Sequence, residues 1–573
     1  MTSKEIRDKF LNFFKQRGHA VVPSSSLIPG DPSVLLTTAG MQQFKPYFLG
    51  KADPVHDFGT RRTASIQKSF RTSDIDEVGD ESHLTFFEML GHFSFGDYFK
   101  KETIEWTYEF LTTVLKISPE RIWASVFEGD DAIPFDQESY DAWLRFIPEK
   151  RIKKGGREGN VWGPPGPEGP CGAANEVYVD DLEVATLVFM EYYCAQDGSL
   201  SPLADKGVDV GWGLERAAKV IQNASTVFDT DLFLPFMELL PADLEIRIKR
   251  IVTDHLRAVA FLLADGLRPS NKEAGYILRR LLRRALVYEH IYKVPQHVFD
   301  AVIHDIVHEY GEFYPELLRE NENIRQEFNA ERQKFGSTLQ RGLKELERVN
   351  TIDGTIAFNL YETFGLPYEI IKELGGARAQ TLSHESFDGE FRKHQEISRA
   401  GQEKKFGGHG LLLDTGELKA GNEEELKTVT RLHTATHLLN AALHKVLGNT
   451  VEQRGSDITP ERTRFDFLFP RKLTGEELKK IEELVNYAIA KDFPVSAKEM
   501  SLEEAKKSGA LFFYEGHYPE RVKVYTIGDD KEIFSQELCG GPHVTHTGEI
   551  GHFKIVKEES SSFGVRRIRG VID

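Results

Sequence analysis

The chain has 573 residues, 40% of them hydrophobic and 28% charged, with a net charge of −18. That length exceeds one hydrophobic core and predicts three or four domains of ~150 residues each. The acidic balance excludes a protein that coats nucleic acid by bulk charge, Ala258–Ala264 is too short to span a bilayer, and three scattered cysteines exclude a disulfide framework.

The chain starts directly in an amphipathic helix over residues 4–17, with Ser3 as N-cap, Ile6, Phe10, Phe13 and Phe14 on one face and Gly18 as the stop. This is not a signal peptide, and a reducing, cytoplasmic setting is expected. A Pro/Gly/Ser-punctuated region runs to about residue 60. Thr85–Phe99 is dense in Phe and predicts strand and turn. Residues 155–172 hold seven glycines and four prolines and predict a loop; strand-like runs resume at Glu176–Val179 and Leu187–Tyr193.

From about Asp243 to residue 350 helical periodicity dominates, with long charged stretches at Tyr276–Tyr288 and Asn321–Val349. A boundary falls near residues 400–427. Residues 428–447 predict a helix ended by Gly448, and the remainder alternates strands (Phe465–Phe469, Val522–Thr526, Gly551–Val556) with a helix at Glu476–Ala490.

His433 and His437 lie four apart on a helix, so their rings leave one face about 6 Å apart. Zinc takes N and S ligands in a tetrahedron, and such a pair supplies two. The spacing is weak by itself. With 19 histidines about 0.6 such pairs arise by chance, and His304/His308 is another, best read as a plain helix face because no cysteine accompanies it. Cys539-Gly-Gly-Pro-His543 adds a thiolate and an imidazole on a tight turn. From spacing alone, a zinc site and a free buried Cys539 stand on equal footing. His444 is about 16 Å along the axis from His433, too far to share an ion, and His546 is only an alternate for His543.

Longer motifs carry a resemblance. His433-Thr-Ala-Thr-His437, Glu537-Leu-Cys539-Gly-Gly-Pro-His543, Thr547-Gly-Glu-Ile-Gly551 and Gly564-Val-Arg-Arg-Ile568 are similar to the editing domain of alanyl-tRNA synthetases. Thr85-Phe-Phe-Glu-Met-Leu-Gly91, Phe93-Ser-Phe-Gly-Asp-Tyr-Phe99 and Gly213-Leu-Glu-Arg216 resemble the class II synthetase motifs in their alanine-specific form. Asp265-Gly-x-x-Pro-Ser-Asn271 and Gly275-Tyr-Ile-Leu-Arg-Arg280 resemble the middle of the same family. The resemblance runs from about Ile6 to Ile568. It implies an α+β multidomain fold: an antiparallel-sheet catalytic domain (1–240), a helical tRNA acceptor-stem domain (241–399), a shortened linker (400–427) and an α+β zinc-binding editing domain (428–573).

The implied activity is ligation of alanine to tRNA(Ala) through alanyl-adenylate, with ATP and Mg²⁺, and hydrolytic proofreading of seryl- and glycyl-tRNA(Ala). The alternatives are a ligase with impaired editing and a non-ligase tRNA-binding or trans-editing paralogue. The resemblance assigns Arg71 to the ATP α-phosphate, Arg216 to its triphosphate tail, and Phe87 to adenine with Glu88 nearby. It assigns Asp209 to the amino group of alanine, and Trp162, Thr186 and Gly211 to the rest of that pocket, Thr186 standing where the family usually has Asn. It assigns one Zn²⁺ to His433, His437, Cys539 and His543, and Asn271 and Glu362 to the acceptor-stem G·U pair, Glu362 standing where Asp is commoner.

Arg279, Arg280, Arg283 and Arg284 form i, i+4 pairs, which predict a cationic stripe for tRNA phosphates or else a solvated helix face. Departures from the family pattern include a short motif-2 loop at Thr72–Glu77 without its usual Lys. The β-barrel before His433 is missing, and the chain ends soon after Gly564-Val-Arg-Arg, from which a monomer is expected.

Overall fold

A computed structural model describes residues 1–30, 34–164, 166–393, 423–448, 451–511, 521–562 and 565–573. Most of the expected linker at 400–427, and Gly564, lie outside the described residues. The chain forms two compact units, Met1–Glu390 and Phe391–Asp573.

The first unit is built on a nine-stranded sheet of β1 (Ala20–Val21), β2 (Arg62–Phe70), β3 (Phe86–Phe95), β4 (Ile122–Phe127), β5 (Ile152–Gly155), β6 (Val161–Trp162), β7 (Gly169–Val179), β8 (Leu182–Cys194) and β9 (Leu200–Gly213). Their order is β1-β2-β3-β9-β8-β7-β4-β5, with β6 paired to β7. The outer pairs β1/β2 and β4/β5 are parallel and the others antiparallel. One face is covered by α1 (Ser3–Lys15) and by α3 (Ile246–Ala264). Phe14 stacks on His92 at 4.0 Å and Phe261 on Phe86 at 4.2 Å. The α1 N-cap is Thr2, one residue earlier than expected, because Glu5 closes a capping box with it. A further helix, α2 (Leu214–Gln222), follows β9 directly.

The helical stretch after residue 243 packs into this same unit through buried charges. Lys68 on β2 pairs with Asp265 at 2.6 Å, Arg257 on α3 with Glu215 on α2 at 2.8 Å, and the Asp254 carboxylate accepts the Thr85 amide at 2.9 Å. Cutting one partner from such a pair leaves an uncompensated buried charge, so these contacts tie the helices firmly to the sheet. The stretch also contains α4 (Glu273–Ile291), α5 (Asn321–Arg348) and α6 (Gly354–Phe364).

In the second unit, α7 (Glu423–Leu447) and α8 (Gly475–Ala490) pack on an antiparallel sheet. Its strands are β10 (Glu452–Thr459), β11 (Arg462–Leu468), β16 (Val565–Ile572) and β15 (Phe553–Ser562), in that order. A second sheet joins β12 (Val495–Ser501), β13 (Arg521–Gly528) and β14 (Ile533–Leu538). Ala435, Leu438, Leu439 and Ala442 of α7 meet Phe465, Phe467, Ile481, Val485 and Phe553 in one core. No helix among the described residues is long and apolar enough to cross a membrane.

Candidate active site and metal centre

The open face of the first sheet forms a cleft of about 280 Å³. Side chains alternate along a strand, so β3 sends Phe87 and Met89 to the cleft and Phe86, Glu88 and Leu90 to α1 and α3. The cleft gathers Arg71, Phe87, Trp162, Thr186, Asp209, Gly211 and Arg216 from six separate segments. Glu88 is not among them. It is fully buried on the opposite face, ion-paired with Arg7 and accepting from the Tyr314 hydroxyl at 2.8 Å.

The Arg71 guanidinium lies over the Phe87 ring at 5.0 Å, leaving an exposed cation beside a flat aromatic surface. Arg216, in the first turn of α2, is held by Glu183, which accepts from its Nη1 at 2.8 Å and from the Thr186 hydroxyl at 2.7 Å. Asp209 on β9 is buried, no hydrogen bond or ion pair reaches its carboxylate among the described residues, and burial pushes its pKa up to about 7. Gly211 follows on the same face. A Cβ there would come within 2.9 Å of Met89 Sδ, so the glycine is what lets Met89 floor the cleft.

The α7 helix and the turn after β14 bring His433, His437, Cys539 and His543 together, their ligand atoms all within 4.8 Å of one another. A zinc tetrahedron, with bonds of about 2.0 Å to N and 2.3 Å to S, places ligand atoms roughly 3.3–3.7 Å apart. The second nitrogens are already engaged: His433 Nδ1 meets the Pro542 carbonyl at 2.9 Å, His437 Nδ1 meets Glu537 at 3.1 Å, and His543 Nδ1 meets the Thr434 hydroxyl at 3.2 Å. Each ring therefore turns Nε2 inward. His433 Nε2 is 3.4 Å from Cys539 Sγ, and His543 Nε2 is buried with no partner. Burial holds all three histidines below their usual pKa, which keeps them neutral, the form that ligates. The donor set fits a metal ion. Among the described residues it is the single such group; His304 and His308 are exposed, with His304 against Asp305 at 3.0 Å.

Comparison with known proteins settles the family. Residues 5–442 match the model described as tRNA synthetases class II (A), and residues 522–569 match the threonyl and alanyl tRNA synthetase second additional domain. The alanine–tRNA ligase of Borrelia garinii is 41% identical over 611 residues, covering all of both chains. The chain belongs to the alanyl-tRNA synthetases. The alanine–tRNA ligase of Treponema denticola is 42% identical, covering all of this chain and 99% of that one. That of Fervidobacterium nodosum is 36% identical, covering all of this chain and 80% of its own length. Among solved structures, a pyrrolysyl tRNA synthetase from Desulfitobacterium hafniense matches with a TM-score of 0.25 and 15% identity, covering 39% of this chain and 70% of its own.

Within this alanyl-tRNA synthetase the four α4 arginines do not form the open cationic stripe that their spacing suggested. Arg279 reaches Asn271 and donates to the Pro269 carbonyl at 2.9 Å; Arg283 donates to Glu331 on α5 at 2.7 Å and to the Gly365 carbonyl at 3.2 Å. Arg280 pairs with Glu369 and with Asp76 at 2.9 Å; Arg284 is buried and donates to the Ile75 carbonyl at 2.6 Å. Spacing puts charges on a face, but only packing decides whether that face meets water. Asn271 and Glu362 are exposed, on segments joined by the edge-on contact of Tyr276 and Tyr361 at 5.8 Å.

Sequence reasoning missed Glu183 and Glu537. Glu537 was within reach, since it lies in the same short motif, two residues before Cys539. Glu183 was not, because a register shift between Val177 and Tyr178 in the pairing with β7 lets it join Thr186, three positions on.

Proposed function

We propose that this chain joins alanine to tRNA(Ala) in the cleft of its first unit and hydrolyses mischarged tRNA at the metal centre of its second. The observation that carries the ligase reading is Asp209, a buried carboxylate without a partner on the wall of a cleft that also offers Arg71, Phe87 and Arg216. Such a group favours a cation, and the α-ammonium of alanine supplies one. Trp162, Thr186 and Gly211 line the cleft with it and shape the space for the alanine side chain.

Phe87 stacks on adenine, Arg71 meets the α-phosphate, and Arg216, steered by Glu183, meets the triphosphate tail. The alanine carboxylate attacks the α-phosphorus, the bond to pyrophosphate breaks, and alanyl-adenylate forms. The two arginines neutralise the charge that builds there, together with the Mg²⁺ that enters with ATP. The terminal ribose hydroxyl of the tRNA then attacks the alanyl carbonyl and AMP leaves. Residues 1–240 carry this chemistry and 241–399 bring in the acceptor stem, with Asn271 and Glu362 at its G·U pair.

A pocket for alanine rejects serine, which adds one hydroxyl, by only ~10²-fold, so a second hydrolytic site is needed. His433, His437, Cys539 and His543 hold one zinc ion in the 428–573 region. Bound there, zinc supplies a fixed positive charge for orienting a mischarged ester. His437 is kept in its ligating orientation by Glu537.

Alanine-dependent ATP–pyrophosphate exchange tests the first half: no exchange at saturating alanine overturns the ligase reading. Hydrolysis of seryl-tRNA(Ala) tests the second. Wild type should release serine and Cys539→Ala should not; an intact ester with the wild type overturns the proofreading reading.

A further inference from the structure

The segment between β2 and β3 begins at Arg71 and runs into β3 just before Phe87, and it also lines the cleft with Asp74, Ser82 and His83. Its middle does not stand free. Ile75 and Val78 are fully buried, and the stretch is gripped from the helical side at successive positions. Arg284 donates to the Ile75 carbonyl at 2.6 Å, Arg280 to the Asp76 carboxylate at 2.9 Å, and Arg250 to the Asp80 carbonyl at 3.0 Å. Asp254 closes the segment by accepting the Thr85 hydroxyl at 2.6 Å. At Gly79 (φ 122°) the backbone lies so close to α3 that a Cβ would come within 2.9 Å of Arg247 Cγ.

The arginines on α4 therefore divide by face. Arg279 and Arg283 turn to Asn271, Glu331 and Gly365, whereas Arg280 and Arg284, also four apart, turn to the cleft segment. Arg284 is 1% exposed, which removes it from contact with any phosphate.

We propose that Arg280 and Arg284 are positioning residues for adenylate formation: they fix the segment at the Asp76 carboxylate and the Ile75 carbonyl, and through it hold Arg71 over Phe87 where ATP needs it. The physical reason is length. A connection fifteen residues long that must present Arg71 beside Phe87 of β3 loses conformational freedom on binding unless that cost is met in the fold, and buried charge-assisted hydrogen bonds meet it. The inference rests on Arg71 and Phe87 being the ATP-binding pair.

Asp76 provides the cleanest test, because it lies in the segment and is exposed enough to change without emptying a core. ATP–pyrophosphate exchange is measured without tRNA for wild type, Asp76→Asn, Arg280→Lys and the double variant, with thermal melting as the folding control and tRNA(Ala) binding measured in parallel. A positioning role predicts a kcat/KM for ATP lower by roughly tenfold in each single variant, a double variant no worse than the singles, and unchanged tRNA affinity. A phosphate-binding role predicts the reverse: exchange without tRNA equal to wild type and tRNA affinity reduced in Arg280→Lys, with Asp76→Asn binding tRNA as well as or better than wild type. That result overturns the proposal, as does additivity of the two changes. Absence of exchange in the wild type would instead overturn the ligase reading itself.

Discussion

Two helices of this protein carry their chemistry as pairs four residues apart, and the pairs end differently. On α4, Arg280 and Arg284 find carboxylate and carbonyl partners inside the protein, on Glu369, Asp76 and Ile75. On α7, His433 and His437 have one ring nitrogen engaged each and turn the other toward Cys539 and His543, where His543 Nε2 is buried without a partner. The first arrangement sets its charges against groups of the fold itself and stiffens it. The second leaves donors that burial makes costly to leave unmatched, so it favours an ion. Asp209 repeats the second pattern in the cleft, as a single buried carboxylate in want of a cation. Unmatched buried polarity that faces a cleft or other donors, more than charge spacing, marks the candidate sites; isolated unmatched atoms such as His92 Nε2 and Trp212 Nε1 occur away from them.

The largest test of that contrast is removal of a metal ligand. Cys539→Ala or His437→Ala should abolish bound zinc, read by elemental analysis after gel filtration. Zinc retained at the wild-type level would show that the cluster does not ligate it. Next, Asp209→Asn should raise the KM for alanine by about 10²-fold in ATP–pyrophosphate exchange, because an amide cannot pair with the ammonium as a carboxylate does.

The same variant has a pH signature in the ligand-free protein. The Asp209 carboxyl keeps its proton to about pH 7 when folded, against 3.8 as its ordinary value, so the unfolded chain ionises first. The wild type therefore loses stability as pH rises from 3.8 to about 7. Asp209→Asn removes that loss and should melt higher than wild type at pH 8, by on the order of 1–3 kcal/mol, with the difference shrinking at pH 4. A variant equally destabilised at both pH values contradicts the assignment of an unmatched carboxylate.

A smaller effect is expected at Glu537→Gln. Its amide still meets His437 but cannot become the carboxylate that a metal-bound imidazole favours, and zinc affinity measured by competition with a chelator should fall about 10–100-fold. The smallest is Phe87→Leu, which keeps bulk but removes the aromatic face under Arg71 and against adenine. A rise of a few-fold in the KM for ATP, with the KM for alanine unchanged, corresponds to about 0.5–1 kcal/mol of cation–π and stacking energy.

The sequence was most informative where a local pattern is also the physical cause. α5 spans Asn321–Arg348 and α8 Gly475–Ala490, each within a residue of the expected helix, because apolar periodicity and capping act within a few turns. β2 left no such trace: Thr63, Ser65, Gln67, Lys68 and Ser69 are polar, yet the strand is buried on both faces by partners that come from far along the chain. Its place in the sheet follows from Lys68 meeting Asp265 and from pairing with β3, neither of which has a local signature.

By itself, then, the sequence determined the family, the residue types at both sites and most helices, since these rest on motifs and on periodicity within short segments. Only the tertiary structure decided which of those residues reach the cleft and the His/Cys cluster. It turned Glu88 to the back of the sheet, because adjacent strand residues point to opposite faces. It matched the α4 arginines with internal partners and left Asp209 and His543 without one, since burial and pairing depend on groups hundreds of residues apart.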